Sequence, residues 1–140
     1  MKKLLIIIAL LLVASVASAQ TWHNANQATL AWNAVTQLSD NTTIPAGNVV
    51  KYQVWRRLSP ALPTAGEMVA GEITSLQQVV TFTVEGGYFL GVQALRFVDN
   101  VKVSSSTIAW SDVAANCQGG VTFGIQYWLA PTFPVGLRRL

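Results

Sequence analysis

The sequence has one histidine and no motif for nucleophilic catalysis, which excludes several kinds of site. No second His, and no Cys, stands near His23, so a zinc site is not expected. Ser-His-Asp catalysis would depend on His23 close to the N-terminus, and no Gly-x-Ser-x-Gly elbow is present. We expect His23 to be an exposed polar residue, and we predict that the protein is not an enzyme.

Acidic residues are also scarce. The six are Asp40, Glu67, Glu72, Glu85, Asp99 and Asp112. A glycosidase needs two carboxyl groups that face each other, and the only near pair lies in a turn-rich segment, so a solvated surface is the better interpretation. No Asp-x-Asp-x-Asp calcium loop and no phosphate-binding glycine loop occurs. We therefore expect neither a metal nor a cofactor, and a small hydrolase ranks last among the function classes.

Cys117 is the only cysteine, so the chain cannot form an internal disulfide. Two interpretations remain open. Cys117 is either a buried or poorly reactive thiol near a strand end, or the site of a disulfide between two molecules. In both cases packing, and not a crosslink within the chain, must hold the fold together.

The first nineteen residues are typical of a secretory signal peptide. Lys2 and Lys3 precede an apolar stretch over residues 4–14, and the segment ends in Ala-x-Ala at Ala19. The apolar stretch is shorter than the roughly 20 residues of a membrane-spanning helix. We predict a signal-peptide helix over 1–19, cleaved before Gln20, with an uncleaved anchor as the alternative. The protein is then secreted or periplasmic, with no membrane partner after cleavage.

Loss of that segment lowers the net charge from +3 to +1. Residues 20–140 carry seven basic and six acidic side chains, and two of the basic ones, Arg138 and Arg139, stand at the C-terminus. A nucleic-acid binder needs a basic stripe, and none is present, so we expect no nucleic-acid partner. The length suits one domain over 20–128, followed by a Pro-rich tail over 129–140.

Alternation of apolar and polar residues predicts that this domain is all-β. The predicted strands cover residues 28–32, 49–57, 77–84, 88–97, 107–116 and 121–128. Residues 37–47 and 99–106 are predicted loops, and 60–76 a turn-rich excursion. No segment after residue 20 keeps a helical period. Short strands separated by frequent turns predict an antiparallel sandwich of two sheets.

The order of these strands resembles a fibronectin type III domain, especially the small exported ones of bacteria and phages. The similar segments are 28–32, 50–56, 82–84, the alternating run Tyr88, Leu90, Val92, Ala94, and 106–113. The resemblance covers about residues 27–116. It implies an immunoglobulin-like fold that binds and does not catalyse, with Tyr88 as a corner tyrosine whose hydroxyl bonds nearby backbone. The chain differs from the family in three ways: no Pro-rich first strand, a long segment over 64–76, and an extra strand over 121–128.

Aromatic residues supply the candidate binding surface. Trp32, Tyr52 and Tyr88 are expected in the core, whereas Trp55 and Trp128 point away from the apolar faces of their strands. Exposed planar rings stack on sugar faces or anchor a protein partner. The alternative is that a loop or a neighbouring strand covers each ring.

The tail is a second candidate, as an edge strand. Pro131, Phe133, Pro134 and Leu137 resemble the Pro-x-x-Pro-x-x-Leu opening strand of the family, although they stand at the end of the chain. Prolines suit an edge strand. The tail would then fill the missing first-strand position in its own domain or in a neighbour's. The alternative is a frayed remnant of a lost second module.

These features predict an exported, non-catalytic binding or adhesion module whose partner is a protein or a polysaccharide. The alternative is a structural subunit of an extracellular or virion-associated assembly, self-associating through the tail.

Overall fold

Strands form most of the secondary structure in the computed structural model, which describes residues 20–132, 135, 136, 138 and 139. The strands are β1 (Thr21–Asn24), β2 (Gln27–Ala31), β3 (Val49–Leu58), β4 (Glu67–Ile73), β5 (Gln77–Thr81), β6 (Gly86–Val98), β7 (Val101–Ser105), β8 (Ala109–Trp110) and β9 (Phe123–Tyr127). Three single-turn 3₁₀ helices occupy Pro63–Ala65, Ala114–Asn116 and Gln118–Gly120. The predicted all-β class is confirmed. The predicted signal peptide over 1–19 lies outside the described residues.

A large sheet is built around β6, the longest strand. One edge of β6 pairs along ten residues with β3, which in turn pairs with β4. The other edge of β6 pairs in succession with β7, β8 and β9. Serine side chains fill the two breaks between these segments. Ser106 Oγ accepts a hydrogen bond from the Ala94 N–H at 3.0 Å, and Ser111 Oγ accepts one from the Leu90 N–H at 3.1 Å.

The large sheet is mixed, so the expectation of a purely antiparallel fold is wrong. β1 pairs in parallel with β9, with Trp22 opposite Gly124. β1 is a strand before β2 that the sequence did not predict, and it contains no proline. Glycine at 124 makes the pairing feasible, since a Cβ there would stand 2.5 Å from the Trp22 ring. The sequence signal was weak because β1 has four residues and only Trp22 is partly buried.

The second sheet has only two strands, β2 and β5, paired antiparallel. Leu30 and Val80 from this sheet pack against Val54 and Leu90 of the large sheet, and these four side chains are almost completely buried. Burial of each such aliphatic side chain contributes about 1.5–3 kcal/mol. The main core therefore lies between the inner faces of the two sheets.

Two predicted irregular segments are strands. Asp99 and Asn100 both have positive φ, 49° and 64°, which produces the tight two-residue turn that joins β6 to β7. Residues 99–106 are therefore a turn and a strand, and not a hairpin loop. Likewise, β4 lies within the predicted turn-rich excursion. By contrast, of the predicted strand over 107–116 only the two residues of β8 form a strand.

Tyr52 and Tyr88 are buried, as predicted, but Trp32 is only partly buried. The Tyr88 hydroxyl donates a hydrogen bond of 2.6 Å to the Val84 carbonyl, four residues upstream. This confirms the bond to nearby backbone that the sequence predicted, and it fixes the chain just before β6. Among the described residues, no helix is long and apolar enough to cross a membrane.

We expect Tyr88→Phe to lower the free energy of unfolding by about 1 kcal/mol, because the Val84 carbonyl loses its partner inside the fold. Urea unfolding followed by tryptophan fluorescence measures this change. Tyr127→Phe is the matched control, since the Tyr127 hydroxyl makes no hydrogen bond within the described residues. Equal losses in the two variants would contradict the prediction.

Candidate functional site

One concave surface is a cleft on the inner face of the large sheet, where the two-stranded sheet leaves that face uncovered. β2 ends at Ala31, and the inward-facing side chains that remain there are those of Val92 and Ala94. The cleft has a volume of about 550 Å³. Because the side chains at its base are small, the space between the sheets stays open and is not filled by core packing.

Two aromatic rings form one wall of this cleft. Trp32 and Tyr52 pack with their ring centroids 5.5 Å apart, in a tilted arrangement. The Tyr52 hydroxyl accepts a hydrogen bond of 2.9 Å from the Val35 N–H, which holds the loop after β2 against the wall. The Trp32 indole N–H is buried and has no acceptor among the described residues. It is therefore a donor that no protein group in that part of the chain uses.

The opposite wall is the segment between β8 and β9. It carries Asn116, Cys117 and Gln118, while Asn33 completes the rim on the other side. No Asp, Glu, Lys or Arg side chain lines the cleft within the described residues. A surface with aromatic faces, carboxamides and no charge suits a neutral ligand that has both an apolar face and hydrogen-bonding groups.

Ser111 fixes both ends of that opposite wall. Its carbonyl accepts hydrogen bonds from the Phe123 N–H at 3.0 Å and from Cys117 Sγ at 3.2 Å. The chain thus leaves the sheet after Ser111, makes two 3₁₀ turns and returns beside it. This closed loop gives the cleft a wall with a defined position.

A buried arginine anchors the same wall from the outer face of the large sheet. Arg57 is 5% exposed and lies between the rings of Phe89 and Trp110, 4.7 and 4.9 Å from their centroids. Its guanidinium also contacts the Asp112 carboxylate at 2.5 Å and the Ala61 carbonyl at 2.6 Å. The Asp112 side chain is 24% exposed, so the ion pair is partly buried, and its contact with Arg57 positions Asp112 at the start of the wall.

Cys117 is a partly buried thiol of low reactivity. Burial raises its pKa, and the nearby Asp112 carboxylate raises it further. The thiolate is the nucleophilic form, so a raised pKa reduces reactivity at neutral pH. This agrees with the interpretation of Cys117 as a poorly reactive thiol, and nothing in the geometry of the described residues requires a disulfide between molecules.

The two predicted surface tryptophans are placed differently. Trp55 lies in β3 between Met68 of β4 and Gly91 of β6 and is half-buried. Trp128 is 61% exposed and stands just after β9, beside a shallow hollow that includes Asn26. The two rings do not line a common cleft in the described part of the chain.

The sequence predicts that both rings of the cleft, Trp32 and Tyr52, lie in the core. Tyr52 is buried, but Trp32 follows the last residue of β2 and is only partly buried, and the polar Asn33 after it is the sequence signal for that position.

Only part of the tail can be placed. Pro131 is exposed and in no strand, and the Leu129 N–H donates a hydrogen bond of 2.6 Å to Glu85 Oε1. Phe133, Pro134 and Leu137 lie outside the described residues. The outer edge of β9 is occupied by β1, so the tail does not pair there in its own domain. The edge strand over the tail stays a prediction.

Comparison with known proteins gives no assignment: neither a family model nor a curated protein matches this sequence. Within the described residues, no group of three or more His, Cys, Asp or Glu side chains could hold a metal ion.

We expect alkylation of Cys117 by iodoacetamide to have a pH midpoint above that of the chain unfolded in urea. Burial disfavours the thiolate, so the folded state keeps the proton to higher pH, and stability falls as pH rises through the raised pKa. Rates measured from pH 7 to pH 11 give both midpoints. Asp112→Asn should move the folded midpoint downward, and a folded midpoint at or below the unfolded one would refute the assignment.

Proposed function

We propose that this chain is an exported, non-catalytic binding module with an immunoglobulin-like sandwich of the fibronectin type III kind. Two features support this fold: β2 and β5 form a small sheet facing the larger one, and Tyr88 bonds backbone before β6. The basic and apolar N-terminal segment supports export.

The uncharged cleft is the observation that carries the binding function. Its aromatic wall and carboxamide rim can stack against one face of a sugar ring and bond its hydroxyls, or can hold an uncharged stretch of polypeptide. Trp32 is central to either case, because its indole is the larger of the two aromatic rings that line the cleft. The partner is accordingly a polysaccharide or a protein.

A second candidate is a structural subunit of an extracellular or virion-associated assembly, joined through the tail. The exposed apolar side chains of the tail favour it. Leu129 is 65% exposed and Val135 is 81% exposed. Apolar residues displayed this way after the last strand gain free energy when a neighbouring molecule covers them.

For the binding function, we expect residues 20–140 to bind neutral glycans on an array, and Trp32→Ala to weaken that binding by about tenfold or more. Trp128→Ala, which removes an indole outside the cleft, is the matched control and should leave the affinity unchanged. Gln118→Arg at the exposed rim tests the same cleft without removing the partly buried Trp32. Loss of binding in Trp128→Ala alone would place the site elsewhere.

For the assembly function, we expect light scattering of residues 20–140 to show a mass that rises with concentration and falls to that of one chain in Val135→Asp. A carboxylate in the tail would have to lose its hydration in any contact that covers it. Val101→Asp is the matched control, because it makes the same change outside the tail, at a valine of β7 that is 63% exposed. A wild-type mass equal to one chain at every concentration would exclude this function.

A further inference from the structure

The two-stranded sheet has one edge with no partner. β2 pairs only with β5. The bonds from the Trp32 N–H to the Leu76 carbonyl and from the Phe82 N–H to the Asn26 carbonyl show that even-numbered residues of β2 face β5. The N–H and C=O groups of Gln27, Thr29 and Ala31 therefore point to the opposite side. In the described part of the chain, no strand pairs with them there.

The outer edge of β5 is different, because side chains cap it. The Gln77 carbonyl accepts from Ser75 Oγ, the Val79 carbonyl from Gln78 Nε2, and the Thr81 carbonyl from Arg56 Nη1. All three carbonyls that face away from β2 are thus satisfied locally. Blocking an exposed edge in this way prevents another strand from pairing with it.

The outer edge of the large sheet beyond β3 is also protected. β4 pairs with β3 through two register shifts, and Glu72 within it has a positive φ of 52°. Glu67 and Glu72 form ion pairs with Arg56 and Lys51. Bulges and charges of this kind make the edge of β4 a poor template. Of the two edges of the small sheet, only that of β2 is open to an added strand.

The sequence of the tail supplies a segment of matching length. Residues 135–140, Val-Gly-Leu-Arg-Arg-Leu, contain no proline, so every N–H in this run can donate. β2 has five residues, and the tail segment has six. Val135 and Leu137 alternate, so in an extended strand both would lie on one face.

The chain's own β2 is a poor match for this segment. The tail begins beside Asn26, at the start of β2. Residues 129–134 would extend about 19 Å in a polyproline conformation, and β2 is about 17 Å long. Residues 129–134, and not 135–140, would therefore lie along β2 of the same chain. In a strand, every second residue directs its N–H toward the neighbouring strand. If residues 129, 131 and 133 faced β2, Pro131 would have no N–H to donate, and if residues 130, 132 and 134 faced it, Pro134 would have none.

We infer that the unpaired edge of β2 accepts residues 135–140 of a second copy of this chain as an added strand. The inference rests on the assembly function proposed above and names β2 as the strand that receives the tail. Backbone hydrogen bonds to Gln27, Thr29 and Ala31 would supply affinity, and the cleft beside Ala31 would receive apolar side chains of the tail. The exposure of Val135 in the single chain agrees with a tail that is not packed on its own domain.

The first test uses two prolines placed directly opposite each other. Thr29 and Val79 are partners in the β2–β5 register, and the N–H of each points outward, so neither substitution removes a bond between β2 and β5. Light scattering of residues 20–140 should show that Thr29→Pro raises the dissociation constant about tenfold or more, while Val79→Pro leaves it unchanged. Equal effects of the two prolines would overturn the inference.

The second test keeps β2 intact, in case Thr29→Pro does not fold. Cys117 lines the same cleft as Ala31. In Val135→Cys, mild oxidation should join Cys117 of one chain to the introduced cysteine of another, which mass spectrometry of mixed light and heavy chains identifies. Cys117→Ser combined with Val135→Cys is the control. A crosslink within one chain, or no link to Cys117, would overturn the inference.

The outcomes separate this inference from the function on which it rests. If Val135→Asp dissociates the assembly but Thr29→Pro does not, and no link to Cys117 forms, the tail joins the subunits at another acceptor. If the wild-type chain has the mass of one chain at every concentration, both ideas fail together.

Discussion

The second edge of β6 is the constraint on which the rest of the structure depends. A strand inside a sheet must satisfy the N–H and C=O groups on both sides, because unpaired buried backbone costs free energy comparable to a lost hydrogen bond. β3 satisfies one side with a single continuous strand. Three short segments share the other side, and Ser106 and Ser111 supply hydroxyl acceptors at the breaks. At each break the chain can leave the sheet while the backbone N–H of β6 keeps a hydrogen-bond acceptor.

The cleft follows from one of these departures. After Ser111 the chain forms the 3₁₀ wall and returns as β9, which then has an edge that β1 occupies in parallel. Since β1 joins the large sheet, it is not available to the small one. The small sheet consequently keeps two strands and covers only part of the facing surface. The open space beside Trp32 and the unpaired edge of β2 thus have a common origin in the position of β1.

The alternating segments could be predicted from sequence, whereas other elements could not, and each difference has a physical reason. Leu30 in β2 and Val54 in β3 alternate with more exposed residues, so their period of two is visible. The β6–β7 turn was missed because Asp99 and Asn100 adopt positive φ, which many sequence contexts permit but do not require. β1 was missed because its parallel partner lies a hundred residues away along the chain. The cleft was missed because the absence of a covering strand is a property of topology, and Trp32 in isolation resembles a core residue.

The capped edge of β5 has a consequence for the behaviour of the protein at high concentration. A sheet that is open on both sides can grow without limit, since each new strand presents a fresh edge to the next molecule. Here Ser75, Gln78 and Arg56 occupy the carbonyls on one side. Any strand recruited by β2 extends that sheet outward only, and the sheet cannot continue through the molecule to its far side. The small sheet therefore ends at β5 and cannot grow from both of its edges.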